Sequence, residues 1–211
     1  ALRGFLQKPD RDDLVLIYIA CHGANDPVRP MNTYILAYDT ERNNIAGTGV
    51  DMSDIDNSIK NNSLAKKTIV FADSCHSGKF GGNIGRRYMQ QQEIVNNFWK
   101  NLASSKDGIA VLNSAEASET AREGKQWGGG HGVFTHFLIE GMKGEADGFG
   151  DRKKDGIISI GELFEYVRHM VKEATDNEQH PSIGTSAYDK NLPLIYVDPP
   201  KEQIIPQVKE G

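Results

Sequence analysis

The chain has 211 residues, 38% of them hydrophobic and 25% charged, and it carries a formal net charge of −5 at pH 7. This composition predicts one globular domain with a sizeable core, and the acidic balance argues against a nucleic-acid partner. No apolar run reaches the roughly 18 residues of a membrane-spanning helix, and no signal peptide opens the chain. Two cysteines are too few for a disulfide framework, so we expect a cytoplasmic protein with no membrane partner.

Apolar, β-rich runs alternate with amphipathic stretches along the chain. The continuous apolar run at residues 14–20 is typical of a strand that is buried on both faces. In chain order, the sequence predicts strands at residues 14–20, 33–38, 68–72, 108–112 and 192–197, and helices at residues 51–64, 86–103, 133–142 and 159–174, the first with Asp51 or Ser53 as its N-cap. This alternation predicts an α/β fold, a three-layer sandwich whose mostly parallel sheet is flanked by helices on both faces.

Two of the predicted strands end at reactive side chains. His22 and Gly23 follow the first strand, and Cys75 follows the strand at residues 68–72. Parallel strands bring their carboxyl ends to one rim of the sheet, so His22 and Cys75 should arrive at the same place. A Cys thiolate is a nucleophile, and a nearby imidazole can accept the thiol proton and later protonate a leaving amine. The backbone N–H groups of Gly23 and Cys75 are candidates for an oxyanion hole.

An acidic residue accompanies the cysteine. Asp73 lies two residues before Cys75, and in a strand this spacing puts both side chains on the same face. A carboxylate in that position can either bind a cationic side chain of a substrate or tune the site itself. The residue types alone leave both roles open.

The two cysteines also suggest an alternative, a zinc site. Cys21-His22 and Cys75-His76 form a matching pair of dipeptides. However, adjacent residues of an extended chain point to opposite faces, and the spacing lacks the usual zinc-binding pattern. We therefore interpret Cys21 as a packing residue and His76 as a loop residue of unknown role.

Residues 151–162 suggest a second kind of metal site, a calcium loop. Asp151, Asp155 and Glu162 fall on ligand positions of such a loop, whereas Lys153 stands where a carboxylate or amide is wanted. The same residues also explain a tight turn followed by a helix, with Ser159 as the N-cap and Glu162 completing a capping box. We favour the structural turn, and calcium stays open as a cofactor.

The segments around His22 and Cys75 resemble the two catalytic motifs of the caspase and metacaspase superfamily of cysteine peptidases. The His-Gly pair after a strand and the run Asp-Ser-Cys-His-Ser-Gly at residues 73–78 match that family, and the second run is specifically metacaspase-like. The runs at residues 130–135 and 155–159 are similar to the C-terminal half of bacterial caspase-like proteins.

The resemblance implies a caspase-like fold and a cysteine endopeptidase that acts on polypeptides. The sequence itself requires no cofactor, and calcium stays possible. The resemblance also implies that His22 is the base, that Cys75 is the nucleophile, and that the N–H groups of Gly23 and Cys75 form the oxyanion hole. Asp73 matches the acidic residue in the pocket for the side chain before the scissile bond, which implies cleavage after Arg or Lys. The main alternative is a catalytically silent interaction domain of the same fold.

The resemblance also bears on how the chain is organised. It implies a peptidase domain at residues 1–198, with a large-subunit-like part at 1–85, a linker helix at 86–105 and a small-subunit-like part at 106–198, followed by an extended tail. The family fold begins with strands that are absent here, so we expect an N-terminal fragment or a separate chain to supply them. Family members are often activated by cleavage between the two parts. Arg86 and Arg87 are the candidate processing site, and the alternative is the solvated start of a helix.

Overall fold

A mixed six-stranded sheet forms the centre of the computed structural model, which describes residues 2–26, 28–29, 31–74, 86–116, 118–150, 152–184 and 188–197, with backbone alone at residues 86–92 and 94. Within these ranges the strand order is β3-β2-β1-β4-β5-β7. The strands are β1 Leu14–Asn25, β2 Thr33–Leu36, β3 Val50–Asp51, β4 Lys67–Ser74, β5 Ile109–Asn113, β6 Ile157–Ser159, β7 Ser182–Gly184 and β8 Pro193–Tyr196.

The longest pairings of the sheet are parallel. β1 pairs with β4 from Leu14 opposite Lys67 to Cys21 opposite Ser74, and β4 pairs in parallel with β5. The shorter strands β2, β3 and β7 join antiparallel on the two sides of this parallel centre. The predicted α/β sandwich with a mostly parallel sheet is therefore confirmed.

Helices cover both faces of the sheet. The helices are α1 Leu2–Leu6, α2 Ile45–Thr48, α3 Met52–Asn62, α4 Arg86–Ser104, α5 Val133–Glu140 and α6 Ile160–Ala174, and a π-helical segment, Gly141–Glu145, continues α5. Alternate residues of β4 enter different cores, because successive side chains of a strand point to opposite faces. Val70 and Ala72 pack with α1, α3 and α4, whereas Ile69 and Phe71 pack with α5 and α6.

One buried side chain fixes α4 across the carboxyl end of β4. Trp99 of α4 is fully buried, and its indole Nε1–H donates a hydrogen bond of 3.1 Å to the Ser74 hydroxyl. A buried indole N–H needs such a partner to offset its desolvation. The contact holds α4 against the last described residue of β4, which is where the reactive rim of the sheet begins.

One strand differs from the sequence-based prediction, and the structure decides two details that the sequence left open. β1 continues beyond residue 20 to Asn25, because β2 supplies a new pairing partner for residues 22–25. The strand at the end of the described chain, β8, pairs with β6 in a separate two-stranded sheet and not with the central sheet. Asp51 is the N-cap of α3, and its side chain accepts a hydrogen bond of 2.8 Å from the Ser53 N–H.

One edge of β1 has no described strand beside its first part. Residues 14–21 pair with β4 on one side, whereas β2 begins to pair on the other side only at His22, so no described strand covers the outer edge of residues 14–21. On the face of α5, Leu16 and Tyr18 are 45% and 50% exposed. A strand edge without a neighbouring strand, beside exposed apolar side chains, is a template for a further strand.

Candidate active site

The pairing of β1 with β4 determines which residues reach the rim together. The last described parallel pairs are Ala20 opposite Asp73 and Cys21 opposite Ser74. His22 comes one residue later and lies opposite Leu36 of β2. The prediction that His22 follows the strand is therefore corrected: His22 lies inside β1, at the point where the strand passes from its parallel to its antiparallel partner.

His22 lies on the face of the sheet that α5 covers. Val15 and Ile17 of β1 pack in the opposite core, with Trp99. Tyr18 instead contacts Thr135 of α5, and the alternation of a strand puts His22 on the same side as Tyr18. His22 is half-buried.

Asp73 lies on the same face and is almost completely buried, with 3% of its surface exposed. Its Oδ2 atom accepts a hydrogen bond of 2.5 Å from the Thr135 hydroxyl, and that hydroxyl oxygen lies 2.7 Å from the Tyr18 hydroxyl. A Cβ atom at Gly132 would collide with the Asp73 carboxylate, so glycine at this position allows α5 to begin directly against the acid. A buried carboxylate therefore lies at the rim within a network of neutral hydroxyl groups.

Gly23, the predicted oxyanion-hole residue, is a buried residue of β1 that lies against α4. A Cβ atom at position 23 would lie 2.6 Å from Cγ2 of Val95, which is itself fully buried. Glycine is therefore required here by the close approach of α4, whatever the role of its N–H group. The other predicted contributor to the oxyanion hole, Cys75, lies outside the described residues, as does His76.

Cys21, the other cysteine of the chain, is unsuited to nucleophilic chemistry. Burial, together with the negative charge of Asp73, raises the pKa of Cys21 from 9.0 to about 12. The Cys21 side chain therefore stays a neutral thiol at neutral pH, and the thiolate is the reactive form. This agrees with the interpretation of Cys21 as a packing residue.

The candidate calcium loop is built as a turn whose carboxylates already accept hydrogen bonds. Glu162 Oε2 accepts bonds of 2.9 Å and 2.6 Å from the N–H and hydroxyl of Ser159, and Oε1 accepts one of 3.2 Å from the Gly148 N–H. Ser159 in turn accepts from the Glu162 N–H, which completes the predicted capping box.

The described part of the loop is arranged as the favoured turn. Asp155 is exposed, and its Oδ1 atom accepts from the Ile157 N–H at 3.0 Å, while Lys153 adds a positive charge and Asp151 lies outside the described residues. Whether the loop binds calcium stays a prediction. Across the described ranges, no group of three or more His, Cys, Asp or Glu side chains is arranged to hold a metal ion.

The candidate processing residues begin a helix. Arg86 and Arg87 are the first two residues of α4, and only their backbone is described. The first turn of a helix is held by fewer intrahelical hydrogen bonds than its interior, so it frays most easily. Whether the chain is cut there stays a prediction.

Sequence reasoning missed the partners of Asp73. Thr135 lies 62 residues from Asp73 and 117 from Tyr18, so only the fold brings the three together. The signal was the run at residues 130–135, which the sequence analysis used as part of the resemblance and to which it gave no role. Gly132 and Thr135 are the residues of this run that touch the acid.

The architecture is that of a caspase-like α/β sandwich. Among solved structures, the chain is similar to the crystal structure of protein GSU0716 from Geobacter sulfurreducens, with a TM-score of 0.56 and 15% sequence identity, over 93% of this chain and 76% of that chain. At this identity the likeness shows the fold alone. Among curated proteins, none matches.

The family itself is shown by sequence. The chain belongs to the caspase domain family, whose model matches residues 1–193. Membership supports cysteine peptidase activity in general, with polypeptides as substrates. None of the described helices is both long and apolar enough to cross a membrane.

Proposed function

We propose that the protein is a cysteine endopeptidase that hydrolyses peptide bonds after Arg or Lys, with Cys75 as the nucleophile and His22 as its base. The observation that carries the proposal is the register of β1 and β4, whose last described pair is Cys21 opposite Ser74. In the sequence, His22 and Cys75 are the residues that directly follow this pair. A base and a thiol that come together are the parts that thiol activation requires.

The proposed reaction follows the chemistry of acyl transfer. His22 accepts the Cys75 thiol proton, and the sulfur attacks the substrate carbonyl carbon to give a tetrahedral oxyanion. The backbone N–H groups of Gly23 and Cys75 would stabilise this oxyanion. The C–N bond then breaks, His22 protonates the leaving amine, and water hydrolyses the resulting thioester. This proposed reaction needs no cofactor, and a reactive thiol is kept reduced in the cytoplasm, where we propose the enzyme acts.

The preference for Arg or Lys rests on Asp73. Its carboxylate is 3% exposed and lies on the same face of the sheet as His22. Thr135, which donates a hydrogen bond to this carboxylate, is a neutral residue. A buried anion is stabilised by a cationic partner, and an anionic substrate side chain would add like-charge repulsion.

Two further proposals concern how the enzyme is assembled. We propose that activation includes a cut after Arg86 or Arg87, because the start of α4 separates the two parts of the domain. A band shift in the wild type that is absent in a Cys75→Ala variant would support self-processing. An identical band pattern in both would contradict it.

We also propose that a strand from an N-terminal fragment or a separate chain pairs with the outer edge of residues 14–21. Leu16 and Tyr18 beside this edge are half-exposed apolar side chains, which such a strand would cover. Hydrogen exchange provides the test. The outward amides of residues 14–21 should exchange fast in the 211-residue chain alone and slowly when the added segment is present. Fast exchange in both samples would contradict the proposal.

Peptide cleavage tests the central proposal. The substrates are matched peptides with Arg, Lys, Asp or Glu before the scissile bond, and the variants are Cys75→Ala and His22→Ala. We expect cleavage after Arg and Lys in the wild type and its loss in both variants, by at least about a thousandfold. Cleavage that survives Cys75→Ala would refute the mechanism, and absence of cleavage in the wild type would favour the silent interaction domain. Preferential cleavage after Asp or Glu would refute the specificity alone.

A further inference from the structure

We infer that Thr135 is a positioning residue for substrate specificity, and that together with Tyr18 it fixes the Asp73 carboxylate for a cationic substrate side chain. This inference rests on the proposed function and deepens it. The observation that carries it is the chain of two hydrogen bonds from Tyr18 through Thr135 to Asp73, which joins β1, α5 and β4.

The chemistry of the groups fixes the direction of both hydrogen bonds. An ionised carboxylate can only accept, so the single hydroxyl proton of Thr135 is donated to Asp73 Oδ2, at 2.5 Å. The Thr135 oxygen then acts as an acceptor toward Tyr18, at 2.7 Å, so the Tyr18 hydroxyl is the donor. Hydrogen bonds in a chain polarise one another, so the Tyr18 bond strengthens the one that reaches the charged oxygen.

The start of α5 confines the carboxylate further. Gly132 is the N-cap of α5 and has no side-chain cap, and its Cα packs so closely against Asp73 that no Cβ atom fits between them. The amino end of a helix carries a partial positive charge, which attracts a nearby carboxylate. Thr135, in the first turn of the same helix, then holds one of the two carboxylate oxygens.

Apolar packing alone would not require the hydrogen bonds of Thr135. Thr135 is 7% exposed, and valine has nearly the same shape, so a purely apolar contact would not require a hydroxyl group. What the hydroxyl adds is a fixed orientation of the acid, at the rim where His22 lies on the same face. A carboxylate that is held in one orientation loses less conformational freedom when a cationic side chain binds to it.

The test compares two peptide substrates that differ only before the scissile bond, one with Arg and one with its neutral isostere citrulline. We expect Thr135→Val to lower the ratio of their kcat/KM values about tenfold or more, because the loss falls mainly on the charged substrate. Most of that loss should appear in KM. Thr135→Ser keeps the hydroxyl group and should retain most of the ratio. Tyr18→Phe removes one hydroxyl from a half-exposed ring and should lower the ratio about threefold.

Several outcomes would overturn the inference. An unchanged ratio in Thr135→Val would do so, and so would an equal loss on both substrates that follows a fall in the melting temperature, since a merely structural role predicts that pattern. If Thr135→Val does not fold, the ratio measured in Tyr18→Phe decides, and no change there overturns the inference. A failure of the proposed function is recognised separately, because Cys75→Ala would then cleave as well as the wild type.

Discussion

A methyl group at position 23 is the sharpest structural perturbation that the site offers. In the wild type a Cβ atom there would lie 2.6 Å from Cγ2 of Val95 and 3.2 Å from Cγ1. Val95 is fully buried in the core between β1 and α4, so its side chain has no space into which to move. Overpacking of this kind costs about 1–3 kcal/mol. We therefore expect Gly23→Ala to lower the free energy of unfolding by about this amount.

A double-mutant cycle separates the steric cost from other effects. Val95→Ala removes both Cγ atoms and by itself should cost about 2 kcal/mol for the lost burial and cavity. Because it also makes room for the new methyl group, the double variant should lose at least about 1 kcal/mol less than the sum of the two single losses. Urea unfolding followed by tryptophan fluorescence measures all four free energies.

The matched control is Gly4→Ala in α1. No atom lies within 4 Å of a Cβ built at Gly4, so this change should alter stability by less than about 1 kcal/mol. The double variant keeps the N–H group of residue 23, so peptidase activity that Gly23→Ala loses should return with stability. Wild-type stability in Gly23→Ala, or strictly additive losses in the cycle, would refute the steric reasoning.

Two further predictions concern a thiol and a helix cap. Since the pKa of Cys21 is raised to about 12, iodoacetamide at pH 8 should label the wild type much faster than a Cys75→Ser variant, in which Cys21 alone remains. The folded state also retains the Cys21 proton up to a higher pH than the unfolded state, so the free energy of unfolding should fall between about pH 9 and 12. This fall should be less steep in Cys21→Ala, and equal slopes in the two proteins would contradict the raised pKa. Ser159→Ala removes the capping box with Glu162 and should lower the free energy of unfolding in urea by about 1 kcal/mol. An unchanged midpoint of the urea transition would contradict this prediction.

The parallel centre of the fold could be predicted because its strands are continuous apolar runs. β4 and β5 are buried on both faces as expected, whereas β1 is buried on one face only, since Leu16 and Tyr18 are exposed. Continuous apolar runs at residues 14–20, 68–72 and 108–112 leave few other interpretations for a chain of this composition. The short elements could not be predicted in the same way. β7 is only Ser182–Gly184, and its pairing with β5 depends on a neighbour about 70 residues away. The pairing of β8 with β6 is equally non-local, and no local pattern in either segment names its partner.

The candidate site was predictable to the same extent as the strands that carry it. The motifs placed His22 and Asp73 at strand ends, and the pairing of β1 with β4 puts them at one rim. The sequence did not reveal that Asp73 is bonded through Thr135, because this contact depends on how α5 docks against the sheet. Nor did it reveal that Gly23 is fixed by the approach of Val95. Close contacts between distant segments decide both cases, and the type of a single residue does not encode them.

The way the site is divided along the chain limits what proteolytic activation can do. His22 and Asp73 precede α4, whereas Thr135 follows it, so a cut after Arg86 or Arg87 would leave the parts of the specificity network on two fragments. The fragments would stay joined, because β4 and β5 pair in parallel and both cores contain buried side chains from each part. Each fully buried apolar side chain contributes about 1.5–3 kcal/mol, so a core of this size resists dissociation. Cleavage would therefore act locally at the start of α4, and not by separating the two halves of the site.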